Sequence, residues 1–232
     1  MKKTSEDIIK LKLEIFLLRY SFAYNEELLN FVKDNFFTCI NEDAPDILMQ
    51  IYTELQIKHK NNGFYEEHVK KIKENFDIRG NILDVASGVI PAFGNLVAKE
   101  QLKIGSGTVT LCDPALGIRK SKYPNMKLMK ENFYANCDVS KYDLITGILP
   151  CDATDEIIKA ACKNNKNFYI AMCGCVHYDG YPYIYMTPEH YQYCIISMAE
   201  KYLKEYDNGK LVVEKLDDRF SIDYPIIYNK KS

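Results

Sequence analysis

The stretch that decides the fold is "NILDVASGVIPAFGNLVA", residues 81 to 98. It begins as an apolar strand, passes through a small-residue turn containing Gly88, and continues as a helix. A strand, a tight turn and a helix in that order open a βαβ unit, and such a turn can hold a nucleotide. From Asn81 onward further short apolar runs follow: "GTVTLCD", "MKLM", "YDLITGIL" and "NFYIAMC", separated by helical or turn-like stretches. Such alternation predicts a mainly parallel sheet covered by helices on both faces. A helix is expected from Thr187-Pro188-Glu189 to about Asn208-Gly209. Two last strands, "KLVVEKL" and "YPIIYNK", are close enough in sequence to pair as a hairpin and give the sheet an antiparallel edge.

Upstream of Asn81 the pattern is helical. Thr4 and Asp7 resemble a capping box before Ile8, Ile9, Leu11, Leu13, Phe16, Leu17 and Tyr20, which recur at helical spacing. Asn25 and Asp43 precede second and third helices, and "GFYEEHVKKIKENF" predicts a fourth. The expected organisation is a helical N-terminal cap over residues 1–78 and a Rossmann-like α/β domain over 79–232. A chain of 232 residues with 47% hydrophobic and 12% aromatic content suffices for such a core.

Charge and cysteine usage restrict the setting. The net charge is −2, and residues 1–75 hold 11 basic against 13 acidic side chains, so neither half is a basic arm. The Met1-Lys2-Lys3 start runs into charged residues, and no apolar stretch approaches the roughly 18 residues of a membrane span. The eight cysteines are therefore expected as reduced thiols in the cytoplasm, with no membrane partner.

The turn at Gly88 discriminates between ligands. A dinucleotide site uses G-x-G-x-x-G so that backbone can approach a pyrophosphate. Here Gly88 stands alone between Ala86 and Val89, and Pro91 removes an amide that phosphate would use. Asp84, at the end of the first strand, would repel a diphosphate but can meet the ammonium of a methionine moiety. Asp113 ends the second strand 25 residues after Gly88, where an acid accepts hydrogen bonds from ribose hydroxyls. An acid at each strand tip without the phosphate glycines favours S-adenosylmethionine over NAD.

With these residues in place, the chain resembles the class I S-adenosylmethionine-dependent methyltransferases over about residues 81–178. The carrying segments are "LDVASG", Asp113, the turn "KENF" (Lys130 to Phe133) and "YDLITGILPCDATDEIIKAA". The last is similar to the LHxC…ATD segment of a group that includes tRNA 2′-O-methyltransferases. "AMCGCVH" occupies the place of that group's paired cysteines, here split by Gly174, and Pro150 stands where the group often has His or Ala. The resemblance implies a donor pocket of Asp84, Ala86, Ser87, Gly88, Asp113, Pro114, Asn132, Phe133 and Gly147.

Acceptor chemistry is expected at the ends of strands four and five. Asp152 can act as a base or orient the acceptor, and it also reads as a cap for the helix that follows. Cys173, Cys175 and His177 alternate along an extended segment, so all three can share one face and are candidate catalytic groups. Their C-x-C-x-H spacing is not that of a zinc site, so no metal is assigned; buried structural thiols are the alternative. Six tyrosines between 178 and 193 can stack on an acceptor or simply pack on the sheet. The expected activity is methyl transfer to an unidentified acceptor: RNA, a small molecule or a protein side chain. Two alternatives stand beside it: an aminocarboxypropyl transferase of the nicotianamine-synthase type, suggested by "ASGVIP", and a non-catalytic S-adenosylmethionine-binding module.

Overall fold

The structure is a computed structural model that describes residues 63–88, 91–118, 120–173, 188–216 and 225–231. The chain divides into two units between Asn62 and Gly63, and all the described residues belong to the second. The first three expected helices, Val89, Cys175 and His177 lie outside the described residues.

In chain order the elements are α1 (Phe64–Asn75), β1 (Asn81–Val85), α2 (Ala92–Ile104), β2 (Thr108–Cys112), β3 (Met126–Met129) and β4 (Leu144–Ile148). A short 3₁₀ turn (Cys151–Ala153), α3 (Thr154–Lys163), β5 (Asn167–Ala171), α4 (Pro188–Glu205), β6 (Lys210–Glu214) and β7 (Ile226–Lys230) follow. The seven strands form one sheet in the order β3-β2-β1-β4-β5-β7-β6. β1 to β5 are parallel, β7 runs antiparallel to β5, and β6 antiparallel to β7. This is the Rossmann-like α/β fold with an antiparallel ending that the strand rhythm predicts. α1, which the sequence groups with the helical segment 1–78, lies in the same unit as the sheet.

Both faces of the central strands are buried, which is why they read as continuous apolar runs. On one face Leu83, Val85, Ile145, Phe168, Ile170 and Ile227 pack against α3 and α4. α4 contributes Tyr191, Ile195, Ala199 and Leu203, a stripe repeating every four residues as one helix face requires. α3 contributes Ile157, Ile158, Ala160 and Ala161, with Asp155 and Glu156 in its first turn and Lys163 in its last.

The opposite face carries a polar row. Asp84, Thr146, Tyr169 and Tyr228 are mutual register partners across β1, β4, β5 and β7. Tyr169 meets α1, where Nδ1 of the fully buried His68 lies 2.8 Å from its hydroxyl. Burial holds the His68 imidazole neutral, with its pKa pushed down to about 3 and Lys71 adding to the effect. The Tyr228 hydroxyl donates to Glu214 Oε1 at 2.7 Å, and Lys71 Nζ donates to Glu214 Oε2 at 2.6 Å, fastening α1 to the antiparallel edge.

Candidate functional site

The strand order reverses at β1, whose neighbours are β2 and β4. In an open parallel sheet the loops leaving the carboxyl ends at such a point diverge and leave a crevice for a ligand. Three turns meet there: Ala86–Gly88 after β1, Asp113–Ala115 after β2, and Leu149–Cys151 after β4.

The turn after β1 is tightly wound. Ala86 takes φ 54° and Gly88 φ 79°, both left-handed. A left-handed alanine costs about 1–2 kcal/mol, so the neighbours must hold it. They do so through Asp113: the Gly88 amide donates to Oδ2 at 2.9 Å and the Ala115 amide to Oδ1 at 2.7 Å. The second strand's acid thus ties the first two turns together. A carboxylate oxygen has two lone pairs, so each keeps capacity for a hydroxyl donor such as ribose. Ser87 Oγ is buried and has no hydrogen-bond partner among the described residues.

Asp84 is 2% exposed. Its Oδ1 lies 3.2 Å from Thr146 Oγ1, whose hydroxyl is also 3.3 Å from the Leu83 carbonyl; Oδ2 lies beside the Gly94 backbone and makes no well-formed hydrogen bond among the described residues. Desolvation pushes the carboxyl up to about 8; the Thr146 hydroxyl and the Gly94 backbone oppose this, and the Asp113 charge adds to it. A buried carboxyl with one unsatisfied oxygen is a receptor for a cation, and it is the wrong group to meet a diphosphate. The residues present therefore fit the ammonium end of S-adenosylmethionine.

Gly94, in the first turn of α2, completes this corner. A Cβ there would meet Leu111 Cδ2 at 2.2 Å and Asp84 Oδ2 at 2.8 Å, so only glycine lets α2 lie this close to β1 and β2. The sequence signal was present, since an isolated glycine at a helix start marks close packing. Thr146 carries no signal in the sequence, because it meets Asp84 only through the pairing of β4 with β1.

The remaining expected donor residues divide. Pro114 and Asn132 are exposed in their turns, while Phe133 is buried in the hydrophobic core. Gly147 faces Ile157 Cδ1 and Pro150 Cγ, which an added Cβ would meet at 2.7 and 2.9 Å, so its lack of a side chain serves the packing of α3 on β4.

At the acceptor end, Leu149 (φ 57°) and Cys151 (φ 45°) flank Pro150 in left-handed conformations. The Leu149 amide donates to the Ala171 carbonyl at 2.8 Å, and Thr154 Oγ1 donates to the Cys151 carbonyl at 2.8 Å. Asp152 is exposed within the 3₁₀ turn, and the N-cap of α3 is Ala153, which supplies no capping side chain. Cys173 is buried just beyond β5. The buried phenol of Tyr191, hydrogen-bonded with Thr154 and influenced by Cys173, Asp155 and Cys151, has its pKa raised chiefly by burial. Among the described residues no three His, Cys, Asp or Glu side chains gather as metal ligands, and no helix is long and apolar enough to cross a membrane.

No protein-family model and no curated protein matches the chain. Solved structures share its fold. The CMeT domain of the citrinin polyketide synthase superposes with a TM-score of 0.52 at 13% identity, covering 100% of this chain and 70% of that one. The precorrin-6y C5,15-methyltransferase from Geobacter metallireducens GS-15 gives 0.48 at 14% identity, covering 72% and 87%. Human N-acetylserotonin methyltransferase, solved with S-adenosylmethionine, gives 0.48 at 11% identity, covering 94% and 62%. At these identities the likeness is one of fold.

Proposed function

We propose that the protein is an S-adenosylmethionine-dependent methyltransferase. The observation that carries this reading is Asp84, buried at the carboxyl end of β1 with one oxygen unsatisfied, beside a turn pinned by Asp113 at the strand-order reversal. Asp84 receives the ammonium group, Asp113 the ribose hydroxyls, and the Ala86–Gly88 turn the adenosyl group. Pro114, Asn132 and the backbone around Phe133 and Gly147 form the rest of the donor pocket. The fold shared with the CMeT domain of the citrinin polyketide synthase is compatible with the same reading.

The bound donor would supply a methyl group on sulfonium, transferred by in-line displacement. What the chain itself supplies is orientation: donor and acceptor held in line account for most of the acceleration in such a reaction. The acceptor side comprises the Leu149–Asp152 turn and the segment from Cys173 through Cys175 and His177. A base among Asp152, Cys173, Cys175 and His177 is required only where the attacking atom must lose a proton.

Calorimetric titration with S-adenosylhomocysteine, with NAD as control, tests this. Micromolar binding of S-adenosylhomocysteine alone is the expected result, weakened at least tenfold in Asp113→Ala. Binding of neither ligand by folded protein overturns the reading. Formation of methylthioadenosine in place of S-adenosylhomocysteine would replace methyl transfer with aminocarboxypropyl transfer.

A further inference from the structure

The balanced charge of the whole chain conceals a local imbalance. From Gly117 to Lys130 the sequence carries Arg119, Lys120, Lys122, Lys127 and Lys130 and no acidic residue. The structure describes four of these, Lys120, Lys122, Lys127 and Lys130, and all four are exposed. Several cations elsewhere are held in pairs: Lys70 with Glu67, Lys71 with Glu214, Lys73 and Lys103 with Glu100, Lys159 with Asp155 and Glu156, and Arg79 with Asp77. Among the described residues, Lys120, Lys122, Lys127 and Lys130 form no ion pair; the Lys122 ammonium lies 5.7 Å from the centroid of the Tyr123 ring.

The fold lines these charges up. Among the described residues β3 is the outermost strand on its side of the sheet, so Lys127 stands on an edge strand. No helix intervenes between β2 and β3 among the described residues, leaving Lys120 and Lys122 on an open connection. That connection turns into β3 where the Met126 amide donates to the Tyr123 carbonyl at 3.2 Å, and it is braced on α2 by Asn125 Nδ2 donating to the Ala98 carbonyl at 3.1 Å. Lys130 lies past the other end of the strand, about 13 Å along at roughly 3.3 Å per residue. It opens directly into the "KENF" turn of the donor pocket. Tyr134, 54% exposed, follows that turn.

We infer that the β2–β3 connection and the β3 edge form a binding track for a single-stranded polynucleotide, leading its acceptor nucleotide to the crevice. Unpaired lysines spaced along an extended edge neutralise successive phosphates. The exposed Tyr134 supplies a ring face on which an unpaired base stacks, a contact that tolerates any base, and the half-buried Tyr123 lies beside Lys122. Binding by this track stands on the charges alone; its role as acceptor guide rests on the methyl-transfer reading.

The test is fluorescence anisotropy of the full chain with a labelled 20-nucleotide mixed-sequence RNA, and the same sequence as single-stranded DNA, across a series of KCl concentrations. Lys120→Gln/Lys122→Gln/Lys127→Gln is compared with a control set of equal charge change, Lys201→Gln/Lys204→Gln/Lys210→Gln. Wild type is expected to bind at least one strand. The track variant should bind at least tenfold more weakly at low salt, with the slope of log K against log [KCl] reduced by about 2, or about 0.7 per lost contact. The control set should stay within twofold of wild type. Equal losses in both sets, no binding by wild type, or track-dependent binding confined to phosphatidylserine vesicles each overturn the inference. S-adenosylhomocysteine calorimetry on the same proteins separates the two readings, since the track variant leaves the donor pocket intact. Polynucleotide binding without donor binding would sink the methyl-transfer reading and leave the track standing.

Discussion

Replacing Asp84 by Asn keeps the shape of the buried side chain and removes its titration. In the folded protein the carboxyl titrates at about 8, against 3.8 for the free group. Between those values the folded state holds a proton that the unfolded state has released. Stability therefore falls as pH rises, by about 1.4 kcal/mol per pH unit. Across the whole interval the loss is about 6 kcal/mol, complete above about pH 8 and absent below about pH 4. In Asp84→Asn this slope is missing, because the amide is neutral at every pH. Urea denaturation of both proteins at about pH 5, 6, 7 and 8 reads the difference directly. The variant should gain on wild type steadily, by several kcal/mol in all. A difference between the two that stays constant over this range refutes the account of Asp84 as a desolvated carboxyl.

The same group links protonation to ligand binding. A ligand ammonium placed against Asp84 favours the charged carboxylate, so binding at about pH 7 should release close to one proton. Calorimetric enthalpies for S-adenosylhomocysteine in buffers of different ionisation enthalpy should then differ in wild type and coincide in Asp84→Asn.

Gly94→Ala would ordinarily strengthen a helix by about 1 kcal/mol. Here the new methyl meets Leu111 and Asp84, so the expected result is a loss of about 1–3 kcal/mol in urea denaturation, together with weaker donor binding. His68 titrates in the opposite sense to Asp84. Its folded pKa of about 3 lies below the usual 6.5, so the stability it confers is complete above about pH 6.5 and lost as pH falls towards 3. His68→Gln removes the ring and its titration, and the stability gap to wild type should narrow in urea melts taken from about pH 7 down to about pH 4. A gap that holds constant would mean the ring is not desolvated as described.

Most of the sheet was legible because each strand is a short apolar run between turn residues, and the antiparallel ending because its two last runs lie close in sequence. Asp84 and Asp113 were legible for a related reason: an acid closing an apolar run sits at a strand tip, where an α/β sheet binds ligands. What the sequence hid depends on partners far along the chain. Thr146 reaches Asp84 only because β4 pairs with β1 across 62 residues. That Gly147 also makes room for Ile157 and Pro150 becomes visible only once α3 packs on β4. Asp152 has the right residue type for a cap, but the 3₁₀ turn moves the start of α3 to Thr154 and leaves Ala153 at the cap position. The lysines of the β3 edge were equally visible as residues. Their meaning depended on knowing that β3 is an edge and that nothing among the described residues pairs with them.

The backbone itself indicates what the crevice is built to do. Among the described residues, five that are not glycine adopt left-handed φ. Asn165 and Asp207 lie two residues past the ends of α3 and α4, where residues of their type tolerate that conformation. The other three, Ala86, Leu149 and Cys151, have no such tolerance and all lie in the turns leaving β1 and β4. At about 1–2 kcal/mol each, they concentrate several kcal/mol of strain at one end of the sheet. Contacts from neighbouring strands and helices hold it: Asp113 grips the Gly88 amide, the Ala171 carbonyl grips Leu149, and Thr154 grips the Cys151 carbonyl. The strain maintains the shape of two turns and strips no single side chain for reaction. On the methyl-transfer reading proposed above, holding a sulfonium methyl and its acceptor in line would use that rigidity of turn shape, since alignment supplies much of the acceleration in such a reaction.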